Sequence, residues 1–315
     1  RLRVAQPPRA QAQPRRDTPI EGAARRGLTE GFSKAGAAKA APVHWAVCAW
    51  MGGLCTDHIE KIRDAFTRQA EKFDEYQKSL SPEEHMRLVV EQMALTGEES
   101  ALEVADGTCA FGRAIAPHVK RIVELDATDA MLAVGRREGE RAGIRNAVYR
   151  NGLAEELPFP DECFDVVASR LAFHHFADAE VPFREMCRVL KRGGKLVVVD
   201  MEAREEALRG AADAWERLRD PSHVRCLSRA EFKHLAEKNH MRVSVCEMVK
   251  RPVSLNAWMD LTGVSEENRA AIRAAMAEDI AGGQKTGLEP YEQEGRIMFD
   301  HRWLRIVAEK GAGYR

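Results

Sequence analysis

Two polar features, nineteen residues apart, could bind a cofactor. An apolar run ending near Ala105 leads into a small-residue turn at Gly107, where backbone can approach a ligand and a following helix offers free N–H groups. Asp126 closes the next apolar run, and a carboxylate there can accept hydrogen bonds from both hydroxyls of a ribose. The spacing therefore predicts a nucleoside-type site. The alternative is that Asp126 serves only as an acid at the N-terminus of the next helix.

A third loop, residues 151–160, follows the next apolar run. In it, the apolar Leu153 beside the backbone of Ala154 could hold an adenine edge. The alternative is a plain connecting loop fixed by its prolines.

Three histidines are candidate acid-base groups, because histidine exchanges protons near neutral pH. His174 and His175 come just after the fourth predicted strand, and His223 lies between Arg219 and Arg225. The arginines could bind an acidic group on a substrate. The alternative is that the histidines pack locally and the arginines are ordinary surface residues.

The elements that must position these groups alternate along the chain, which predicts a doubly wound, mostly parallel α/β sheet with helices on both faces. Strands are expected at residues 101–105, 121–126, 147–150, 164–169, 195–200, 242–248 and 296–307. Helices are expected from residue 57 onward, from the 81–84 capping box, at 110–116, 129–142, 178–190, 204–219 and 266–280, and from the capping box that begins at Ser228.

The N-terminal 50 residues differ from the rest in composition. They are rich in Ala, Arg, Pro and Gly and hold nine basic but three acidic residues, which predicts disorder. A transit peptide and a natural start at Met51 are two further interpretations. Residues 51–315 are expected to form one domain, with a cofactor-binding core at about 82–200 and a part at about 201–310 that completes the sheet and forms a lid or substrate wall.

Net charge and cysteine spacing limit the classes of partner, substrate and metal site that we expect. The net charge is −1, and residues 51–315 are acidic overall, so we expect no nucleic-acid or membrane partner and favour a small-molecule substrate. Seven scattered cysteines without a C-x-x-C pair predict reduced thiols, a cytoplasmic location and no metal site. No apolar run approaches the length of a membrane span. The oligomeric state is not readable from the sequence.

Ordered motif blocks resemble those of class I S-adenosylmethionine-dependent methyltransferases of the ubiquinone/menaquinone C-methyltransferase-like group (methyltransferase type 11). The blocks are residues 102–109 (LEVADGTC), 126–132 (DATDAML), 152–165 (GLAEELPFPDECFD), 174–176 (HHF), 188–196 (RVLKRGGKL) and 219–225 (RDPSHVR). The resemblance implies a seven-stranded Rossmann-like fold and S-adenosyl-L-methionine as cofactor.

The resemblance also implies site residues. Glu103 and the backbone from Ala105 to Gly107 would hold the methionine end, and Asp126 would hold the ribose. The remaining implied contacts to the cofactor are Ala127 and Met131 beside the adenine, then Leu153, Ala154 and the main chain after Ser169. Methyl transfer to a small, possibly acidic or aromatic acceptor would follow, with His174, His175 or His223 as the base.

The turn departs from the family pattern, in which three glycines alternate. Ala105 and Cys109 replace two of them, and Asp106 adds an acid. Alanine costs little if its φ is negative, whereas cysteine is strained at positive φ. Asp106 would repel the cofactor carboxylate unless it turns to solvent. The altered turn suggests one alternative, a methyltransferase-fold binding module without turnover. A second alternative, a nicotinamide-linked oxidoreductase, rests on the glycine turn and on the acid that ends the second strand, features that such enzymes share.

Overall fold

The computed structural model describes the backbone of residues 45–80 and 83–311, and the side chains of residues 57–75 and 86–311. The helices are α1 Trp45–Leu80, α2 Glu83–Met93, α3 Ala110–Ile115, α4 Asp129–Arg141, α5 Glu180–Val189, α6 Glu206–Arg219, α7 Arg229–Lys238, α8 Leu255–Leu261 and α9 Glu266–Ile280. The strands are β1 Ser100–Val104, β2 Arg121–Asp126, β3 Ala147–Asn151, β4 Phe164–Arg170, β5 Leu190–Met201, β6 Met241–Ser254, β7 Tyr291–Gln293 and β8 Arg296–Lys310.

Two N-terminal predictions fall on the edge of this range. Of residues 1–50, for which disorder is predicted, residues 1–44 lie outside the described residues. Helix α1 begins at Trp45, twelve residues before the expected start at residue 57. The serine and proline of the first capping box, residues 81 and 82, also lie outside the described residues, while α2 begins directly after them.

The sheet has the predicted doubly wound order. Seven strands follow the path β3-β2-β1-β4-β5-β8-β6, and the short β7 pairs with β8. Strands β1 to β5 run parallel, whereas β8 is antiparallel to both β5 and β6. The chain starts at β1 and winds outward in both directions, so the loops after β1 and β4 diverge. Ligands bind at such a switch point.

The central strands are apolar because both faces of the sheet are covered. Successive side chains point to opposite faces. In β1, Leu102 and Val104 therefore pack into the core cluster on one face of the sheet, and Ala101 packs into the cluster on the other face. The same alternation places Val198 on the first face and Val197 on the second.

The region after β5 forms a third cluster. Trp258 of α8 and Phe299 of β8 are fully buried there, with α6 and α9 around them. The second capping box is confirmed, since the Ser228 hydroxyl accepts the Glu231 N–H and the Glu231 carboxylate accepts the Ser228 N–H. Helix α8 and strand β7 were not predicted.

Helix α1 packs at the carboxyl-end side of the sheet. Its residues Phe66, Ala70 and Phe73 contact Met131 and Val134 of α4. None of the described helices is long and apolar enough to cross a bilayer.

Candidate active site

A pocket opens at the carboxyl ends of β1, β2 and β4, with an empty volume of about 860 Å³ that is partly open to solvent. Eight of the predicted residues line it: Glu103, Ala105, Gly107, Asp126, Ala127, Leu153, Ala154 and His175. Four side chains from α1, Ile59, Ile62, Phe66 and Phe73, form the wall opposite the sheet. We call this space the first pocket.

Four other predicted residues lie away from the first pocket. Met131 packs instead between α4 and α1, because the third residue of α4 faces the neighbouring helix. Ser169 is fully buried within β4, and the chain after it, from Arg170 to Ala172, lines the first pocket. His174 lines a second pocket, described below, and His223 lines neither.

The turn after β1 keeps a left-handed conformation at every second residue. The φ angles are +54° at Ala105, +59° at Gly107 and +59° at Cys109. The condition under which alanine would cost little, a negative φ at Ala105, is therefore not met. A non-glycine residue in this region costs about 1–2 kcal/mol, so the turn holds its shape at both positions against local strain.

The Cys109 side chain points away from the first pocket. It is fully buried and lies against Gly135 of α4, where an added Cβ would overlap its sulfur. Burial and the nearby acids raise the pKa of the Cys109 thiol well above its usual value, so it stays protonated. The turn has Cys109 where the family pattern has a glycine, and Gly135 in the facing helix leaves the space that the cysteine sulfur occupies.

Asp126 links the turn to the start of α4. Its Oδ2 accepts the Gly107 N–H at 2.8 Å, and its Oδ1 accepts the Thr128 N–H at 2.8 Å. Burial raises its pKa to about 6, against the opposing effect of these two hydrogen bonds. Each oxygen of a carboxylate can accept a second hydrogen bond, so Asp126 can bind a ligand hydroxyl while it fixes the turn.

A buried acid cluster, defined as Glu103, Asp106 and Glu124, lies beside the first pocket, which Glu103 and Asp106 line. Glu103 and Glu124 are register partners on β1 and β2, and oxygens of all three carboxyl groups lie within 4.8 Å of one another. Among the described residues, no donor bonds either oxygen of Asp106 or Glu124. Burial, and then the charge of Asp106, raises the pKa of both glutamates well above the usual value. The cluster therefore requires a bound proton or a cationic ligand.

Two residues of this region were missed by the sequence reasoning. Glu124 is a charged residue inside the apolar strand β2, and Arg170 ends the apolar strand β4. Arg170 lies close enough to Glu103 to oppose the rise in its pKa, and burial lowers the pKa of Arg170 to about 10. A charged residue in an otherwise apolar strand was the available signal.

We expect Asp106→Asn to stabilise the ligand-free protein. Glu103 and Glu124 have raised pKa values in the folded protein. They therefore keep their protons at pH values above 4.5, the usual pKa of a glutamate, where the unfolded chain releases them. Stability from these groups therefore falls as pH rises. Removing the Asp106 charge reduces the repulsion that causes this loss of stability. We therefore expect the free energy of unfolding to rise by about 1–3 kcal/mol at pH 8 and by a smaller amount at pH 5.

Thermal unfolding followed by circular dichroism at both pH values measures this effect. Asp64→Asn, an exposed acid on α1, is the matched control and should change the melting temperature little at either pH. A lower melting temperature for Asp106→Asn at pH 8 would contradict the interpretation of the cluster.

The two histidine motifs come together in space. His174 and His175 lie in a short 3-10 turn after β4, and the Val224 N–H donates to the His174 carbonyl at 2.8 Å. His174 Nδ1 lies 2.7 Å from Asp200 Oδ1, and His175 Nδ1 lies 3.1 Å from Ser222 Oγ.

His223 is fixed behind this turn. Its Nε2 lies 2.9 Å from Asp213 Oδ1, and it is almost fully buried. The predicted arginine cluster does not form around it, because Arg219 pairs with Glu216 and Arg225 pairs with Glu231. The structure therefore does not place His223 where it could touch a substrate.

A second pocket adjoins the first, with an empty volume of about 500 Å³. Four residues line both pockets: Phe66, Phe73, Leu171 and His175. The second pocket adds Gln69, His174, Met201, Arg219, Asp220, Leu261, His301 and Trp303. His175 thus lies at the boundary between the two.

Comparison with known proteins agrees with this architecture. Residues 102–198 match the family described as Methyltransferase domain. The chain is 30% identical over 208 residues to an uncharacterized methyltransferase, YcgJ of Bacillus subtilis, covering 66% of this chain and 82% of that protein. The crystal structure of YcgJ superposes with a TM-score of 0.66 at 27% identity, over 72% of this chain and 98% of that one.

A demethylmenaquinone methyltransferase of Thermotoga maritima is also similar, at 32% identity over 157 residues, 48% of this chain and 65% of that protein. The chain belongs to the methyltransferase-domain family and, by sequence and fold, to the S-adenosylmethionine-dependent class. Membership favours methyl transfer over nicotinamide-linked oxidation.

Proposed function

We propose that this protein transfers a methyl group from S-adenosylmethionine, bound in the first pocket, to a small-molecule acceptor bound in the second. The observation that carries the proposal is that the two pockets adjoin and share four lining residues, with His175 among them. Similarity to proteins named demethylmenaquinone methyltransferase supports a small-molecule acceptor.

The residues of the first pocket fit this cofactor. Among the described residues, no donor bonds Asp106 or Glu124 of the acid cluster, and the ammonium and sulfonium of S-adenosylmethionine would supply the positive charge that these carboxylates lack. Asp126 also lines this pocket and has acceptor capacity for the ribose hydroxyls. The apolar Leu153 and the backbone near Ala127 and Ala154 would border the adenine.

When bound, S-adenosylmethionine supplies an electrophilic methyl group on a sulfonium. The chain has to align the acceptor with it and exclude water. Leu171, Met201 and Trp303 give the second pocket an apolar wall, and Phe66 of α1 lines the side that it shares with the first pocket. These walls favour an acceptor with an apolar body.

Isothermal calorimetry with S-adenosylhomocysteine tests the cofactor assignment, with NAD(H) as the control ligand. We expect saturable binding of S-adenosylhomocysteine and no binding of NAD(H). Absence of binding at millimolar S-adenosylhomocysteine would overturn the proposal. Transfer of a labelled methyl group to a panel of small acceptors then separates an enzyme from a binding module, which would bind the cofactor without turnover.

A further inference from the structure

We propose that Asp220, Ser222 and His175 form a proton relay in which His175 Nε2 accepts the proton of an acidic hydroxyl group on the acceptor. This inference rests on the proposed function and adds the chemical class of its acceptor, an enol or an electron-poor phenol. His175 is the catalytic residue, and Ser222 and Asp220 are positioning residues.

The hydrogen bonds fix the tautomer of His175. The Ser222 hydroxyl donates to Asp220 Oδ1 at 2.6 Å, which commits its single proton. Ser222 Oγ lies 3.1 Å from His175 Nδ1. Because its proton is already donated to Asp220, the serine oxygen can only accept from the ring, so Nδ1 carries the imidazole proton. A neutral imidazole protonated at Nδ1 has an unprotonated Nε2.

Asp220 is ionised in this arrangement. Burial alone would raise its pKa, but Arg219 and the hydrogen bonds from Ser222 hold it below its usual value. The Ser222 N–H also donates to Asp220 Oδ1, at 3.0 Å. The carboxylate therefore holds the serine hydroxyl in one orientation across the physiological pH range.

The position of His175 leaves Nε2 available to a ligand. The ring lines both pockets, and among the described residues none hydrogen-bonds Nε2. Phe66 packs edge-on against the ring with centroids 5.1 Å apart, and His58 Nε2 lies 2.8 Å from the His175 carbonyl oxygen. These contacts hold the ring at the boundary where an acceptor in the second pocket faces the first.

The surroundings keep His175 neutral. Burial, then the neighbouring His174 and His223, lower its pKa well below the usual value, and Asp220 only partly opposes them. The ring of His174 lies 4.1 Å away and is itself paired with Asp200. A neutral imidazole with an unprotonated Nε2 can accept the hydroxyl proton as the methyl group is transferred, because the hydroxyl becomes more acidic as its oxygen forms the new bond.

The proton balance is simple. The acceptor O–H bond breaks, Nε2 gains the proton, and His175 becomes an imidazolium whose Nδ1–H still donates to Ser222. The negative charge of Asp220 stabilises this cation through the serine. The imidazolium afterwards returns its proton to solvent.

Nitrogen-15 NMR of the full chain, labelled in histidine and saturated with S-adenosylhomocysteine, tests the tautomer directly. The His175 signals are assigned as those lost in His175→Gln. We expect a neutral, Nδ1-protonated ring from pH 6 to pH 8. In Ser222→Ala the preference for Nδ1 should be lost, and in Ser222→Thr, which keeps a hydroxyl, it should persist.

An Nε2-protonated ring in the wild type, or a tautomer unchanged by Ser222→Ala, would overturn the relay. Ser222 lines neither pocket, so Ser222→Ala should bind S-adenosylhomocysteine with an affinity close to that of the wild type. Failure of the wild type to bind that ligand would instead overturn the proposed function, which keeps the two results distinguishable.

Binding of para-nitrophenol tests the acceptor class, because its absorbance distinguishes phenol from phenolate. With protein saturated in S-adenosylhomocysteine at pH 6, we expect the ligand to bind as the neutral phenol, because its hydroxyl donates to the unprotonated Nε2 of a neutral imidazole, and His175→Leu to weaken this binding about tenfold. Binding of the phenolate by the wild type, an affinity unchanged in His175→Leu, or no binding at all, would overturn the assignment of a hydroxyl acceptor.

Discussion

Asp126→Ala should lower the affinity for S-adenosylhomocysteine by about 100-fold or more. The substitution would remove the two hydrogen bonds that we propose between the Asp126 carboxylate and the ribose hydroxyls, each worth about 1.5–3 kcal/mol, where about 1.4 kcal/mol corresponds to tenfold in affinity. It also removes the acceptors of the Gly107 and Thr128 N–H groups, so the turn that borders the ligand loses its anchor. Isothermal calorimetry measures the affinity.

Controls separate lost recognition from lost folding. Circular dichroism at the calorimetry temperature must show that Asp126→Ala is folded. Asp64→Ala, an exposed acid on α1, should bind the ligand like the wild type. An affinity for folded Asp126→Ala within a few-fold of the wild type would mean that Asp126 only anchors the turn and the start of α4.

Gly135→Ala should destabilise the protein by about 2 kcal/mol. A helical alanine normally gains up to about 1 kcal/mol over glycine, but here its Cβ would overlap the Cys109 sulfur and lie 3.1 Å from the Thr108 carbonyl oxygen. Overpacking of this kind costs about 1–3 kcal/mol or more. The melting temperature should fall by roughly 4–8 °C, measured by circular dichroism.

A second substitution should remove this clash and restore stability. In Cys109→Gly with Gly135→Ala, the sulfur is gone and glycine adopts the φ of +59° without strain. The double variant should recover most of the lost stability, which a double-mutant cycle reports as a coupling energy. Gly210→Ala, on an exposed site of α6 with open space around it, should instead be neutral or stabilising. A Gly135→Ala protein as stable as Gly210→Ala would contradict the packing described.

Much of the cofactor side of the site was predictable, because it lies in the loops that follow parallel strands. Strand ends such as Asp126 and helix bounds such as Glu266–Ile280 follow from apolar runs and capping residues, and they were found. A prediction of this kind needs only local spacing and the rule that ligands bind at the switch point.

What was missed depends on contacts between distant segments. The proximity of Glu124 to Glu103 requires the register of β2 on β1, and the place of Arg170 requires that of β4. The apolar stripe of α1 predicts a helix but does not identify its partner, so Phe66 was not assigned to the pocket. Positive φ at Ala105 is likewise imposed by the turn as a whole and not by the residue.

The wall common to the two pockets has a thermodynamic consequence. Phe66, Phe73, Leu171 and His175 each face both spaces, so a ligand that shifts or orders them changes the surface offered to the other ligand. Linkage requires this influence to be mutual: the factor by which an acceptor alters the dissociation constant of the cofactor equals the factor by which the cofactor alters that of the acceptor. The order in which the two molecules arrive leaves that factor unchanged.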